Sequence, residues 1–394
     1  MSKYSKEDIL RMVDEEDVGF IRLQFTDVFG TVKNIAVTAG QLEQALNNEC
    51  SFDGSGIDGF VRIEEDDMYL YPDLDSFEIF PWRPQTGKVA RLICDIHKCD
   101  GTPFEGDSRY ILKRVIREAA KMGIYPYIAP ECEFCLFPYD TDGEVMLQTQ
   151  GHGSYFDVAP LDTGENVRRD IILALEDMGI DVRSSYHEHS PYQHEIDLQP
   201  VNALAAADNI VTFRMTCKTI ASRHGLHATF MPKPMNDSDG CGMHLKMTLM
   251  DLEGNNILSD PADSYGLSEL GYHFMAGIMA HVRGLTAVTN PLVNSYKRIV
   301  PGNEAPAYIV WSSGNRSPLI SVPRTSAKDM HIELRNPDPC VNSYLAFAGI
   351  IAAGLEGIKK GLMPQAATEL NIYRLSEVKA SAKEFIRGSG GNGK

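Results

Sequence analysis

Behind Ser5-Lys6-Glu7-Asp8, apolar side chains recur at Ile9, Leu10 and Val13. A hydroxyl followed three residues later by a carboxylate can satisfy two backbone donors reciprocally, so this pattern predicts a short capped amphipathic helix. Val18 to Phe25 and Thr31 to Val37 are rich in β-formers and are separated by the turn-prone Asp27-Val28-Phe29-Gly30, which predicts a hairpin. A Pro/Gly-containing stretch, Pro81 to Gly87, leads into another strand, Val89 to Ile96. After Gly101-Thr102-Pro103 and Gly106-Asp107-Ser108 the apolar spacing switches to Ile111, Leu112, Val115 and Ile116, which is helical. The switch sets a domain boundary between residues 100 and 106. A small unit is expected over 1–103, a large one over 104–387, and a disordered tail over the Gly-rich, polar 388–394.

The large unit reads as alternating helices and strands. Helices are expected at Ser108 to Lys121, Val167 to Met178, Ala203 to Arg223, Leu267 to Leu285 and Ser343 to Lys360. The longest apolar run, Ala346 to Leu355, is too short for the ~20 residues of a membrane span and reads as a buried helix. No internal repeat or heptad array stands out.

With 394 residues, 43% of them hydrophobic and 23% charged, the composition is that of a globular protein too long for one core. The formal net charge of -17 argues against nucleic acid or an anionic membrane as partner. An anionic small substrate then needs arginines or metal ions placed locally. The eight cysteines form no compact framework, and Met1-Ser2-Lys3-Tyr4-Ser5-Lys6 lacks a signal-peptide core, so a reducing cytoplasm is expected. Cys132 and Cys135 make one Cys-x-x-Cys with no second pair at zinc-like spacing, which does not build a zinc site. Gly54-Ser55-Gly56-Ile57-Asp58-Gly59 matches a dinucleotide fingerprint without the strand and helix that it needs. No P-loop exists.

The chemistry sits in short strand-like segments. In Ala129-Pro130-Glu131-Cys132-Glu133-Phe134 two carboxylates two residues apart project from one face of an otherwise apolar strand. Burying them is costly unless cations accompany them. Tyr192-Gln193-His194-Glu195 with Asp197, and Glu188 upstream, repeat that theme. Gly240-Cys241-Gly242-Met243-His244 lets the backbone approach something closely just before an imidazole, and His331, Glu333 and Arg335 share one strand face. Such an oxygen-rich set suits hard divalent cations. Arg298 and Glu304 lie in a proline-pinned loop that could act as a lid, and Arg316 is placed as a phosphate clamp.

Taken in order, these motifs resemble those of type I glutamine synthetases from bacteria and archaea. The resemblance runs from about Asp17 to Tyr373 and includes Phe52-Asp53-Gly54-Ser55, the Glu-x-Glu-Phe strand, Gln193-His194-Glu195, Ala228 to Pro234, Gly242-Met243-His244, Asn315-Arg316-Ser317-Pro318 and Ile332-Glu333-Leu334-Arg335. It implies an α+β protein: a small N-terminal β-grasp domain, and a large catalytic domain with a curved antiparallel sheet flanked by helices. It further implies a homo-oligomer, a six-membered ring or two stacked rings, with sites between subunits. The implied reaction joins ammonium to glutamate through γ-glutamyl phosphate at the expense of ATP, with two Mg²⁺ or Mn²⁺ per site. By resemblance, Glu133, Glu188 and Glu195 hold one ion, and Glu131, His244 and Glu333 the other. Arg298, Arg335 and Gly240 bind glutamate, Arg316 meets the transferring phosphate, and Thr248 belongs to the nucleotide site. Asp53 from a neighbouring subunit and Glu304 on the flap complete the ammonium site.

Departures from the family pattern gather on the nucleotide side. Ser321 and His331 stand where phosphate-binding arginines are usual, and Pro200 where an aromatic packs near adenine. Asp239, Cys241 and Tyr192 replace Asn, Ser and Gly, and the sequence stops soon after Asn371-Ile372-Tyr373. Lys246, Arg324 and Lys328 are candidate replacements for the missing cations. The leading expectation is a glutamate–ammonia ligase with altered nucleotide contacts. A catalytically weak paralogue with a regulatory or assembly role, and a γ-glutamyl ligase for another amine, are the alternatives.

Overall fold

The computed structural model describes residues 3–60, 62, 66–83, 85–147, 153–301, 304–368 and 372. The tail at 388–394, and Asn371 and Tyr373 at the end of the resemblance, lie outside them.

The chain opens with α1 (Lys6–Glu15), where Ser5 Oγ accepts from the Asp8 amide and the Asp8 carboxylate accepts from the Ser5 amide. β1 (Val18–Thr26) and β2 (Val32–Thr38) form the hairpin. A single 3-10 turn leads to α2 (Leu42–Leu46), followed by β3 (Cys50–Phe52), β4 (Met68–Ile79) and β5 (Lys88–His97). The five strands order as β2-β1-β5-β4-β3, with β1 and β5 parallel and the other neighbours antiparallel. Ile9, Val13, Leu42 and Leu46 from the helices pack on Ile21, Leu23, Leu70 and Leu92 of the sheet. The pattern analysis does not predict β3 or β4. Pro72, Asp73, Asp75 and Ser76 interrupt the alternation of β4, and its pairing with β5 slips between Asp73 and Glu78.

The larger unit begins with α3 (Ser108–Lys121) and the long β6 (Tyr125–Pro138). It continues through α4 (Glu165–Glu176), β7 (Val182–His187), β8 (Gln193–Leu198), β9 (Val201–Asn202), α5 (Ala203–Arg223), β10 (Leu226–Thr229) and β11 (Met243–Met250). α6 (Glu269–Thr289), α7 (Ser295–Arg298), β12 (Trp311–Ser312), β13 (Ile320–Ser321), β14 (Ile332–Leu334) and α8 (Ser343–Lys360) complete it. Its sheet runs β12-β13-β14-β11-β6-β8-β7, with β9 and β10 also paired to β6. The expected antiparallel sheet is in fact mixed, because β12 and β13 run parallel while the other pairs are antiparallel.

Even-numbered residues of β6 (Ile128, Cys132, Phe134, Leu136) face the main core, which α5, α6 and α8 cover, and the odd-numbered face is left to Glu131 and Glu133. α6 and α8 touch backbone to backbone at Gly277 and Gly357, where a Cβ on Gly357 would lie 2.1 Å from the His273 carbonyl. The two units are joined by polar contacts. Buried Arg109 donates to Asp73, Asp95 and Asp208, and Arg214 donates to the carbonyls of Gly30, Pro339 and Val341. Gly30, at φ +77, brings the hairpin turn so close to Asn342 that a Cβ would lie 2.7 Å from its Cα. Among the described residues no helix is long and apolar enough to cross a membrane.

Candidate functional site

The exposed face of the large sheet floors a cavity of about 630 Å³. Antiparallel register does much of the assembly: Glu133 lies opposite Glu195, Glu131 opposite Asp197 on one side and His244 on the other, and Lys246 opposite Glu333. Four strands therefore deliver their polar side chains to one place. Glu131, Glu133, Glu188, Glu195, His244 and Glu333 all line the cavity, together with Glu304, Arg316 and Arg335.

Within it, ligating atoms of Glu131, His244 and Glu333 lie within 4.8 Å of one another, with His244 Nδ1 3.8 Å from Glu131 and 3.6 Å from Glu333. A second group that close is Glu131, Glu195 and Asp197. Glu188 lies just past β7, its carboxylate accepting from the His189 amide at 3.1 Å. Glu133 accepts from Gln193 Nε2 at 2.8 Å and from the Gly242 amide at 2.9 Å, so the glycine-rich segment serves to bring a backbone donor onto this carboxylate. Tyr186 donates to Glu195 at 2.7 Å and Ser184 to Asp197 at 2.5 Å.

The acids are not electrostatically alike. Burial pushes Glu133 up to about 8, with Glu188 adding repulsion, and burial beside Glu133 and Asp197 holds Glu195 well above the usual carboxylate range. Burial also works against the Glu131 carboxylate, but a hydrogen bond from His244 and the Lys246 ammonium outweigh it and bring Glu131 down to about 2. Asp197 Oδ1 is buried without a hydrogen-bond partner among the described residues. Buried acids that resist ionisation, and an orphaned carboxylate oxygen among them, fit an oxygen-ligated divalent cation, which supplies the missing charge and coordination.

A small adjoining cavity of about 30 Å³ is lined by Glu133, Asp239, Gly240, His244, Arg298, Glu304, Ala305 and Arg335. Arg298, 5% exposed, donates to the carbonyls of Asn336, Pro337 and Arg335, and Arg335 donates to Glu333 at 2.6 Å. Thr248 shares the β11 face with His244 and Lys246 but does not line the main cavity. Asp53 is exposed beside β3 of the small unit, away from both cavities; the amide and side chain of Ser55 hold its carboxyl below the usual range. Ser321 and His331 both form cavity wall.

Sequence reasoning did not assign Arg183, Tyr155 or Tyr186 to the site, and all three line it. It noted Asp197 only for its spacing. Tyr186 and Asp197 reveal themselves through strand register, Tyr186 standing opposite Glu195; Tyr155, stacked 4.2 Å from the His189 ring, belongs to no motif. Of the three candidate replacement cations, Lys246 lines the cavity and Arg324 and Lys328 do not.

Comparison with known proteins agrees with this geometry. Residues 17–99 match the family described as glutamine synthetase, beta-Grasp domain, and residues 105–387 the one described as glutamine synthetase, catalytic domain. Glutamine synthetase of Clostridium saccharobutylicum is 56% identical over 377 residues, covering 96% of this chain and 85% of that one. That of Staphylococcus aureus is 53% identical over 380 residues with the same coverage. Among solved structures, a GmaS/ADP complex superposes with a TM-score of 0.87 at 30% identity over 96% of this chain and 87% of that one. Plasmodium falciparum glutamine synthetase gives 0.84 at 27% identity, over 92% and 77%. The chain therefore belongs to the glutamine synthetase family and is an ATP-dependent ligase that joins ammonia to glutamate.

Proposed function

We propose that this chain makes glutamine at a two-metal centre, with Glu133, Glu188 and Glu195 holding one divalent ion and Glu131, His244 and Glu333 the other, and with Asp197 supporting the second group. The observation that carries this reading is the convergence of all six side chains, from β6, β8, β11, β14 and the end of β7, on one cavity wall. When bound, Mg²⁺ or Mn²⁺ would neutralise charge on the nucleotide phosphates and on the glutamate carboxylate.

The chain's own residues do the rest. Arg298 and Arg335 hold the carboxylates of glutamate beside Gly240, in the small cavity whose volume is already confined by the flap residue Ala305. Arg316 meets the phosphoryl group as it passes from ATP to the glutamate γ-carboxylate, forming γ-glutamyl phosphate. Glu304 closes over that intermediate and limits water, which would otherwise hydrolyse it. Asp53 of a neighbouring copy, ionised at neutral pH, accepts a proton from ammonium so that ammonia can attack the acyl carbon and expel phosphate. Asp53 lines neither of the two cavities of its own chain, and the family resemblance implies a homo-oligomer; both support a ring in which it reaches the next subunit. The eight unpaired cysteines suit a cytoplasmic enzyme.

Calorimetry of chelator-stripped protein with Mn²⁺ tests the centre: two ions per chain are expected, and Glu131→Ala is expected to abolish one. A single ion in the parent protein, or phosphate release that does not depend on ammonium, refutes the reading.

A further inference from the structure

Cys135 and Cys241 are both buried, 2% and 0% exposed, and their sulfur atoms face each other at 3.7 Å. Cys132, the other half of the Cys-x-x-Cys, plays no part: three residues away along β6, it points into the main core, while Cys135 and Cys241 share a small separate cluster with Phe137 and Met235. A disulfide needs sulfurs about 2.0 Å apart. We propose that Cys135 and Cys241 form a peroxide-oxidised dithiol, a modification site that closes into a disulfide beside the metal centre.

The oxidant is hydrogen peroxide, the only co-reactant required. The Cys135 sulfur attacks one peroxide oxygen, the O–O bond breaks, and the departing hydroxide takes the thiol proton, giving a sulfenic acid and water. The Cys241 sulfur then attacks the Cys135 sulfur, the S–S bond forms, the S–O bond breaks, and hydroxide leaves with the Cys241 proton as a second water. Two electrons pass from the thiols to the peroxide. The pair is buried, so the reaction is slow and favours an oxidant of water's size.

The bond would reach the site through two residues. Cys241 sits between Gly240, whose carbonyl accepts from Gln193, and Gly242, whose amide donates to Glu133 at 2.9 Å. Drawing the Cys241 sulfur inward shifts that amide, and Glu133 loses the donor that orients it. The motif that this segment resembles has serine at the Cys241 position, and a serine there could not close the bond. Its effect on activity rests on the assignment of Glu133 to the metal centre, whereas the crosslink itself is read without activity.

The full chain is treated with hydrogen peroxide in chelator, alkylated under denaturing conditions and peptide-mapped. A Cys135–Cys241 crosslinked peptide is expected. On return of Mn²⁺, turnover is expected to be lower by about tenfold or more, the usual cost of losing a metal ligand's hydrogen-bond partner. Dithiothreitol should restore it, and Cys241→Ser should keep its activity under peroxide. Recovery of both thiols fully alkylated overturns the proposal. So does equal inactivation of Cys241→Ser, or damage that dithiothreitol does not reverse, such as oxidation of Met235. Should Cys241→Ser fail to fold, Cys135→Ala and the map of the parent protein decide the matter.

Discussion

Gly242→Ala should damage glutamate binding while leaving ATP binding largely intact. A Cβ built on Gly242 falls 2.2 Å from Arg298 Nη2 and 3.0 Å from its Cζ. To regain an ordinary contact of about 3.4 Å the guanidinium must retreat by roughly 1.2 Å. It has little freedom to do so, because Nη1 donates to the carbonyls of Asn336 at 3.0 Å and Pro337 at 3.3 Å, and Nη2 to that of Arg335 at 3.3 Å. A charged hydrogen bond lost to a substrate carboxylate is worth about 1.5–3 kcal/mol, which corresponds to a rise of roughly 10- to 150-fold in the KM for glutamate. Steady-state phosphate release, with glutamate and ATP varied separately, measures both constants, and a melting curve confirms that the variant is folded. A glutamate KM within twofold of the parent, or an ATP KM raised as much as that of glutamate, would show that Arg298 does not bind the amino acid.

The raised Glu133 contributes to stability fully below its unfolded value of 4.5, and that contribution is lost as pH rises through about 8. Added Mn²⁺ should therefore stabilise the fold more at alkaline than at mildly acidic pH, by an amount on the order of a few kcal/mol, seen as a larger rise in melting temperature, and an equal rise at both would contradict burial as the cause. Ser321→Arg places a guanidinium in the cavity wall and should tighten ATP by about tenfold in calorimetry with Mn²⁺; unchanged affinity would mean that position 321 does not face the phosphates. Gly357→Ala would set a methyl group 2.1 Å from the His273 carbonyl and 2.7 Å from Gly277 Cα. Forcing α6 and α8 apart should cost about 1–3 kcal/mol and lower the melting temperature by several degrees, and an unchanged melt would show that the helices part freely.

What could be read from the chain depended on whether the information was local. α3, α5 and α8 run between the residues predicted, because each carries its own stop signals: Asp107, Asn202 and Asn342 cap the first turns, and Gly361 ends α8 in a left-handed conformation. β6 announced its polar face because Glu131 and Glu133, two residues apart on an extended apolar segment, must project together without help from a partner strand. β13 and β14 are two and three residues long and exist only because β14 lies alongside β11 and β13 alongside β14, so the wall positions of Ser321 and Glu333 had to come from motifs rather than from periodicity. Register explains the most consequential difference. Spacing along β8 treats Glu195 and Asp197 as equivalents, yet pairing with β6 sets Glu195 opposite Glu133 and Asp197 opposite Glu131, with Ser184 bonded to Asp197 from β7. Asp197 thereby falls within 4.8 Å of two proposed metal ligands from different ion sites, Glu131 and Glu195. A carboxylate at that position would couple the two proposed ions electrostatically, so in calorimetry with Mn²⁺ Asp197→Asn should weaken both binding events, whereas Glu188→Ala should weaken one; an Asp197→Asn variant that loses affinity for one ion alone would refute the coupling.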